Sequence, residues 1–145
     1  MTRESRHERL AAHETLHQSL GLDMLIRRFD RPDEVRTFLH GRFEIVRIGT
    51  LTIGRATYQP GWKWSEHVGP QVNATRCVVE HLGLVVSGAA TAAFDDGQIV
   101  TLNAGDLFYI PPVPHDSWVV GSESYVSLHF TGTDNYAAAD NGRRP

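Results

Sequence analysis

This chain has little that would point to export, membranes or nucleic acid. Its 145 residues hold one cysteine, Cys77, so no internal disulfide forms and an oxidising compartment is not required. No apolar run reaches membrane-spanning length, and the charged opening from Thr2 to Arg9 does not resemble a secretory signal. The net charge is −3 and the basic residues are scattered, which leaves no basic patch for nucleic acid or an anionic membrane. There is no internal repeat. These absences predict a cytoplasmic protein that binds neither nucleic acid nor membrane. The 41% hydrophobic content is ordinary, and a chain of this length suffices for one domain with its own core.

The patterning divides the chain in three. Residues 1–41 read as a helical extension. Leu10, His13, Leu16, His17 and Leu20 recur at helical spacing over 3–20, and Asp30 with Pro32 opens a second short helix over 32–40 that carries Val35, Phe38 and Leu39. Residues 42–134 read as β-structure, with strands expected at Phe43–Ile48, Leu51–Tyr58, Trp62–Val68, Cys77–Val86, Ala89–Phe94, Gln98–Leu102, Leu107–Ile110, Ser117–Val120 and Tyr125–Phe130. Turns are explicit at Asp95-Asp96-Gly97 and Asn103-Ala104-Gly105-Asp106, and Pro111-Pro112-Val113-Pro114 forbids a central ladder. Many short strands with regular turns predict an all-β sandwich or barrel of the jelly-roll kind. Residues 135–145 read as a frayed tail.

Eight histidines stand in the chain, and the informative ones lie in the second half. Side chains alternate along a strand, so Cys77, Val79 and His81 would share one face of an expected Cys77–Val86 strand. Thiolate and neutral imidazole are metal ligands. The same pair also reads as a small buried hydrophobe beside a core histidine bonded to a backbone carbonyl. His67 ends the expected Trp62–Val68 strand and reaches the same interior point if the two strands are neighbours; otherwise it is a surface histidine beside Glu66. His115 follows the proline corner, which fixes its direction, and Asp116 beside it is placed to orient it. Trp62, Trp64 and Trp118 flank these positions and either line a pocket or fill the core. His129 shares a face of the last strand with Tyr125 and Ser127. The opposite face, Val126, Leu128 and Phe130, is the expected core face, which leaves His129 outside the candidate set.

The stretch from Gly61 to Gly121 resembles the two-part motif of the cupin superfamily. Gly61 and His67 have the spacing of that family's glycine and first histidine. Cys77 stands where the family has its second histidine, and His81, seven residues before Gly88, where it has its glutamate. Gly105, Pro111 and His115 match the second motif, with its turn shortened by one residue. The departures are a Cys and a His in place of a His and a Glu, and a loop inserted between the first two ligand positions. The resemblance implies a double-stranded β-helix, the jelly-roll cupin barrel, carrying the helical N-terminal extension. It also implies one divalent transition-metal ion held by His67, Cys77, His81 and His115, with zinc or iron favoured and nickel or copper compatible. Homodimerisation and a small-molecule ligand are implied in the same way. Function is then expected to be that of a metal-dependent enzyme on a small organic molecule, an oxidoreductase (dioxygenase), isomerase or cyclase type. The alternatives are a ligand- or metal-sensing module and a barrel with a structural metal.

Overall fold

A computed structural model describes residues 19–138. Ten strands alternate with turns: β1 (Glu34–Phe38), β2 (Gly41–Ile48), β3 (Leu51–Tyr58), β4 (His81–Ser87), β5 (Ala89–Phe94), β6 (Ile99–Asn103), β7 (Leu107–Ile110), β8 (His115–Asp116), β9 (Val119–Val120) and β10 (Tyr125–Thr131). A six-stranded sheet runs in the order β1-β2-β3-β10-β4-β7. A second sheet runs β6-β5-β8, with β9 also on β5. Every pairing between these strands is antiparallel. Between the two sheets lies an apolar core. Phe43, Ile45, Ala56, Val85 and Phe108 come from the first sheet, and Ala90, Ala92, Leu102 and Val119 from the second, while Trp62 and Trp64 close one end. The expected jelly-roll barrel is thus the observed architecture.

Two glycines set the thickness of this core. A Cβ at Gly54 would strike the ring of Phe43, and one at Gly83 would strike the Phe108 ring and the Leu128 carbonyl. The tips of both rings therefore abut bare backbone, and both rings sit edge-on to His129, at 5.4 Å for Phe43 and 5.8 Å for Phe108. A methyl group at either glycine would displace a core ring, at Gly83 the Phe108 ring that lines the interior cavity, and close-packed cores feel even one carbon.

The helical extension is not observed. The helix expected over 3–20 lies outside the described residues except for Ser19 and Leu20, which are not helical. The helix expected over 32–40 is instead the strand β1, paired with β2 from Glu34↔Ile45 to Phe38↔Gly41. A nine-residue helix has little stability alone. Val35, Thr37 and Phe38 suit a strand, and the short turn at Leu39-His40, with His40 at φ 63, returns the chain directly into β2. Of the stretch read as a frayed tail, residues 135–138 are described and 139–145 lie outside the described residues. Tyr136 is buried, packs its ring 4.7 Å from that of Phe43 and shares a hydrogen bond between hydroxyls with Tyr58.

Three strand expectations also change. The Trp62–Val68 stretch turns into a one-turn helix, α1 (Trp64–His67), followed by a 3₁₀ turn over Gly69–Val72. Asp116 explains the switch. It accepts from the Ser65 backbone N–H at 3.0 Å and the Ser65 hydroxyl at 2.7 Å, satisfying donors that a helix start leaves free. In the Cys77 stretch, regular pairing begins only at His81, and Cys77 forms an isolated bridge with His115. The Ser117–Val120 strand shrinks to Val119–Val120, preceded by β8.

Candidate metal centre

Two β-ladders and one bridge bring the donors together. His81 opens β4 opposite Ile110 of β7, with its side chain inward. Cys77 and His115 exchange both backbone hydrogen bonds, at 2.9 and 3.0 Å, so they stand directly across from each other. The sequence alternation that places Cys77 and His81 on one face survives, although the residues between them are not paired in a sheet. The donor atoms of Cys77, His81 and His115 all lie within 4.8 Å of one another, and all three residues are buried. Cys77 Sγ is 3.6 Å from His81 Nε2. Ligand bonds of about 2.1 Å (nitrogen) and 2.3 Å (sulfur) at a tetrahedral zinc place S and N about 3.6 Å apart, so the pair is spaced for one ion.

His115 is oriented by a carbonyl, not by its neighbouring carboxylate. Its Nδ1 lies 2.8 Å from the Val113 carbonyl oxygen, which can only accept, so Nδ1 carries the hydrogen and Nε2 presents a lone pair to the cavity. The proline corner does fix this imidazole, by presenting a carbonyl from within it. Asp116, expected to do so, is engaged with Ser65, with its neighbour's backbone N–H at Ser117 (2.9 Å), and with Lys63 at 3.9 Å.

His67 is not brought into the cluster. It sits at the end of α1, where its Nδ1 accepts from the Lys63 backbone N–H at 2.9 Å and its ring meets His40 edge-on at 5.0 Å. The expected four-residue set therefore closes to three. The extra helical turn is the reason: it rotates His67 off the interior face that a continuous strand would have given it. Of the three tryptophans, Trp62 and Trp64 line the interior cavity. Trp118 does not; it is half-buried with the Lys63 ammonium 5.5 Å over its ring.

Sequence reasoning missed His129. Along β10 it is Tyr125, Ser127 and His129 that are buried, while Val126 and Leu128 are half-buried and Phe130 is exposed. The apolar face points outward and the polar face inward, the reverse of expectation. His129 Nε2 lies 2.9 Å from Ser127 Oγ, and its ring is 5.5 Å from that of His81 and stacked at 6.0 Å on Tyr136. The signal that could have found it is the alternation of polar residues Tyr125, Ser127 and His129 on one face, of which Ser127 and His129 bond to each other in the fold.

The cavity these groups enclose is about 40 Å³. That is room for an ion with a water or a diatomic ligand, since one water needs ~10–15 Å³ on this measure. Aromatic rings wall it, with Tyr58, Tyr125 and Tyr136 adding hydroxyls. Burial keeps every group here neutral. It pushes the Cys77 thiol up to about 11 and the His129 imidazole down to about 4. His81 falls to about 2, through burial first and then through the nearby His129 and His115. His115 is lowered by burial, opposed by its bond to Val113 and the charge of Asp116. Tyr125 is pushed up to about 12 by burial, against a hydrogen bond from Ser127.

This donor set fits a transition-metal ion. Two neutral imidazoles need give up no proton, and the thiol needs only the ion to displace one. The fit rests on these donors: His81 turns its Nε2 toward Cys77, while its buried Nδ1 has no partner among the described residues. Among the described residues no carboxylate joins the cluster, which disfavours magnesium and calcium. Glu66 and Glu80 are exposed, and Glu80 accepts from the Tyr109 hydroxyl at 2.6 Å.

No helix among the described residues is long and apolar enough to cross a membrane. No protein-family sequence model matches the chain, and no curated protein matches it by sequence. Solved structures do. A Rhizobium leguminosarum protein of unknown function superposes with a TM-score of 0.54 at 19% identity, covering 74% of this chain and 95% of its own. A Cupin 2 conserved barrel domain protein from Salinispora arenicola gives 0.52 at 18%, covering 80% of this chain and 98% of its own. A Vibrio parahaemolyticus protein of unknown function gives 0.51 at 11%, covering 67% and 95%. Strand order, the interior cluster at the motif positions and these superpositions agree that the chain has the fold of the cupin superfamily.

Proposed function

We propose that this chain is a metal-dependent enzyme acting on a small organic molecule, with Cys77, His81 and His115 holding one transition-metal ion, zinc or iron. The observation that carries this reading is the number of donors. Among the described residues three buried side chains converge within 4.8 Å, and the fourth expected ligand, His67, is held elsewhere by its own bond to Lys63. Structural zinc sites close with four protein ligands, whereas catalytic ones keep three and leave a position open. The bound ion would supply Lewis acidity or, if redox-active, electron transfer.

The chain's own residues do the rest. His115, oriented by the Val113 carbonyl, and His81, clamped between His115, His129 and Tyr136, hold their lone pairs in place before any ion arrives. Trp62, Trp64, Phe108 and Ile110 exclude water. Excluding water strengthens each remaining polar contact. The Tyr125, Ser127 and His129 face offers hydrogen bonds to a ligand beside the donors. A sensing module is the second reading, favoured by the same small cavity, which suits the metal itself or a diatomic ligand better than a bulky substrate.

Cobalt(II) substitution tests the proposal. One equivalent should bind and give a thiolate charge-transfer band in the near ultraviolet that Cys77→Ser abolishes. Added azide or cyanide should shift the visible bands if a position is open. A cobalt spectrum insensitive to both anions would make the site closed and the enzyme reading untenable.

A further inference from the structure

Tyr136 lines the interior cavity, yet it is not part of the barrel. It stands beyond the end of β10, whereas every other residue lining the cavity lies on or between β3 and β10. Its entry is built by local chemistry. At Gly132 the chain leaves β10 with φ 73, and a side chain there would strike the Glu80 carbonyl, so the position requires glycine. A tight turn follows, in which the Asn135 and Tyr136 N–H groups donate to the Gly132 carbonyl at 3.2 and 3.0 Å. Thr133 is buried and donates to the His129 carbonyl at 3.3 Å. Arg36 of β1 clasps the turn, donating to the carbonyls of Thr133 and Tyr136, and Glu34 holds that guanidinium at 3.1 Å.

The turn sets the Tyr136 ring down inside the barrel, where it is 4% exposed. It stands 5.4 Å from the ring of His81, edge-on, and 6.0 Å from His129, stacked. Its hydroxyl bonds to that of Tyr58, whose own ring stacks on Trp62 at 3.8 Å. Withdrawing the ring would leave Tyr58 without this partner in a buried place and strip Arg36 of two carbonyls. Those anchors make Tyr136 a fixed partition rather than a swinging door. The space left beside the three donors is about 40 Å³. A benzene-sized ligand needs a cavity on the order of 150 Å³, and the Tyr136 ring, itself of that size, takes up the room.

We infer that Tyr136 is the specificity-determining residue of this centre: its ring limits the occupant of the open metal position to two or three heavy atoms, a diatomic or a one-carbon compound. The inference rests on the three-donor reading above and narrows it. The small molecule bound at the ion is then of that size, and any larger substrate stays outside the cavity. The ring sets the limit and the hydroxyl only fixes the ring, so Phe at this position keeps the selectivity while a smaller side chain loses it.

Titrating the cobalt(II)-substituted protein with azide and with imidazole, followed in the visible bands, tests this. The wild type should bind azide and refuse imidazole. Tyr136→Ala should gain at least about a hundredfold in imidazole affinity while azide changes by less than about threefold. Tyr136→Phe should behave as the wild type. Tyr136→Leu should gain imidazole binding to a smaller extent, and it stands in if the alanine variant does not fold. Metal content after gel filtration confirms that imidazole adds to the ion rather than removing it. A wild type that binds imidazole as tightly as azide would overturn the inference, and so would an alanine or leucine variant with unchanged discrimination. A second measurement needs no metal. Phenol should bind the metal-free alanine or leucine variant by calorimetry and raise its melting temperature, with no effect on the wild type or Tyr136→Phe. If the cobalt bands ignore azide in every variant, the open-position reading fails, and the phenol result still decides whether Tyr136 sets the size of the cavity. Absence of phenol binding to either smaller variant would show that it does not.

Discussion

Cys77 Sγ and His81 Nε2 stand 3.6 Å apart inside the barrel, although no sheet pairing joins the two residues directly. Cys77 is placed by its bridge to His115, and His81 by the start of β4 against β7. Two separately anchored segments thus aim a thiol and an imidazole at one point. That convergence makes the ligand set testable residue by residue.

Removing donors should separate the three from the fourth. Cys77→Ala, His81→Ala and His115→Ala should each lower bound metal from about one equivalent by tenfold or more in affinity, read by elemental analysis after dialysis. His67→Ala should retain the full equivalent. Loss of metal in His67→Ala would return that residue to the site and restore the four-ligand, structural reading.

Metal uptake should release one proton, from Cys77. Its thiol is held up to about 11 while His81 is already neutral down to about 2, so only the thiol must ionise near neutral pH. Affinity should rise about tenfold per pH unit between pH 7 and 9. Calorimetry in buffers of different ionisation enthalpy counts the proton. A count of zero at pH 7.5 would mean that Cys77 stays protonated and off the metal.

Acid should destabilise the metal-free fold through His129. Its folded-state value, about 4, lies below the 6.5 of an unfolded histidine, so between these limits the unfolded chain binds the extra proton. Stability is full above pH 6.5 and falls as pH drops toward 4, by on the order of 3 kcal/mol from this residue. His129→Phe should remove about one proton's share of that slope, leaving the share His81 contributes, in urea denaturation measured from pH 7 to pH 4.5. An unchanged slope would show that His129 is protonated or solvated in the fold.

Asp116 should matter to α1 and little to the ion. Its carboxylate takes both Ser65 hydrogen bonds and none from His115. Asp116→Ala should cost about 2–4 kcal/mol by leaving buried charge-assisted bonds unmade, yet metal affinity should stay within about threefold. A large loss of metal with little loss of stability would reassign Asp116 to orienting His115.

The division between what could be read and what could not follows the range of the forces involved. Turn chemistry and period-2 patterning act locally, so the short strands, the Asp95–Gly97 and Asn103–Asp106 turns and the shared face of Cys77 and His81 could be read from the chain alone. Where tertiary contacts outweighed local preference, reading failed. β1 exists because β2 offers it a ladder, and α1 because Asp116, fifty-one residues beyond Ser65, satisfies its first donors. The resulting helical turn is what removed His67 from the site. β10 shows the deepest limit. Its alternation was plain, but which face points inward depends on what the barrel encloses. Around a buried polar cluster the polar face wins, because His129 and Ser127 bond to each other there while Phe130 turns outward onto an apolar surface. Sequence by itself determined the barrel and the residue types of its centre. The tertiary structure decided how many of them converge, because convergence is set by pairings across the sheets rather than along the strand.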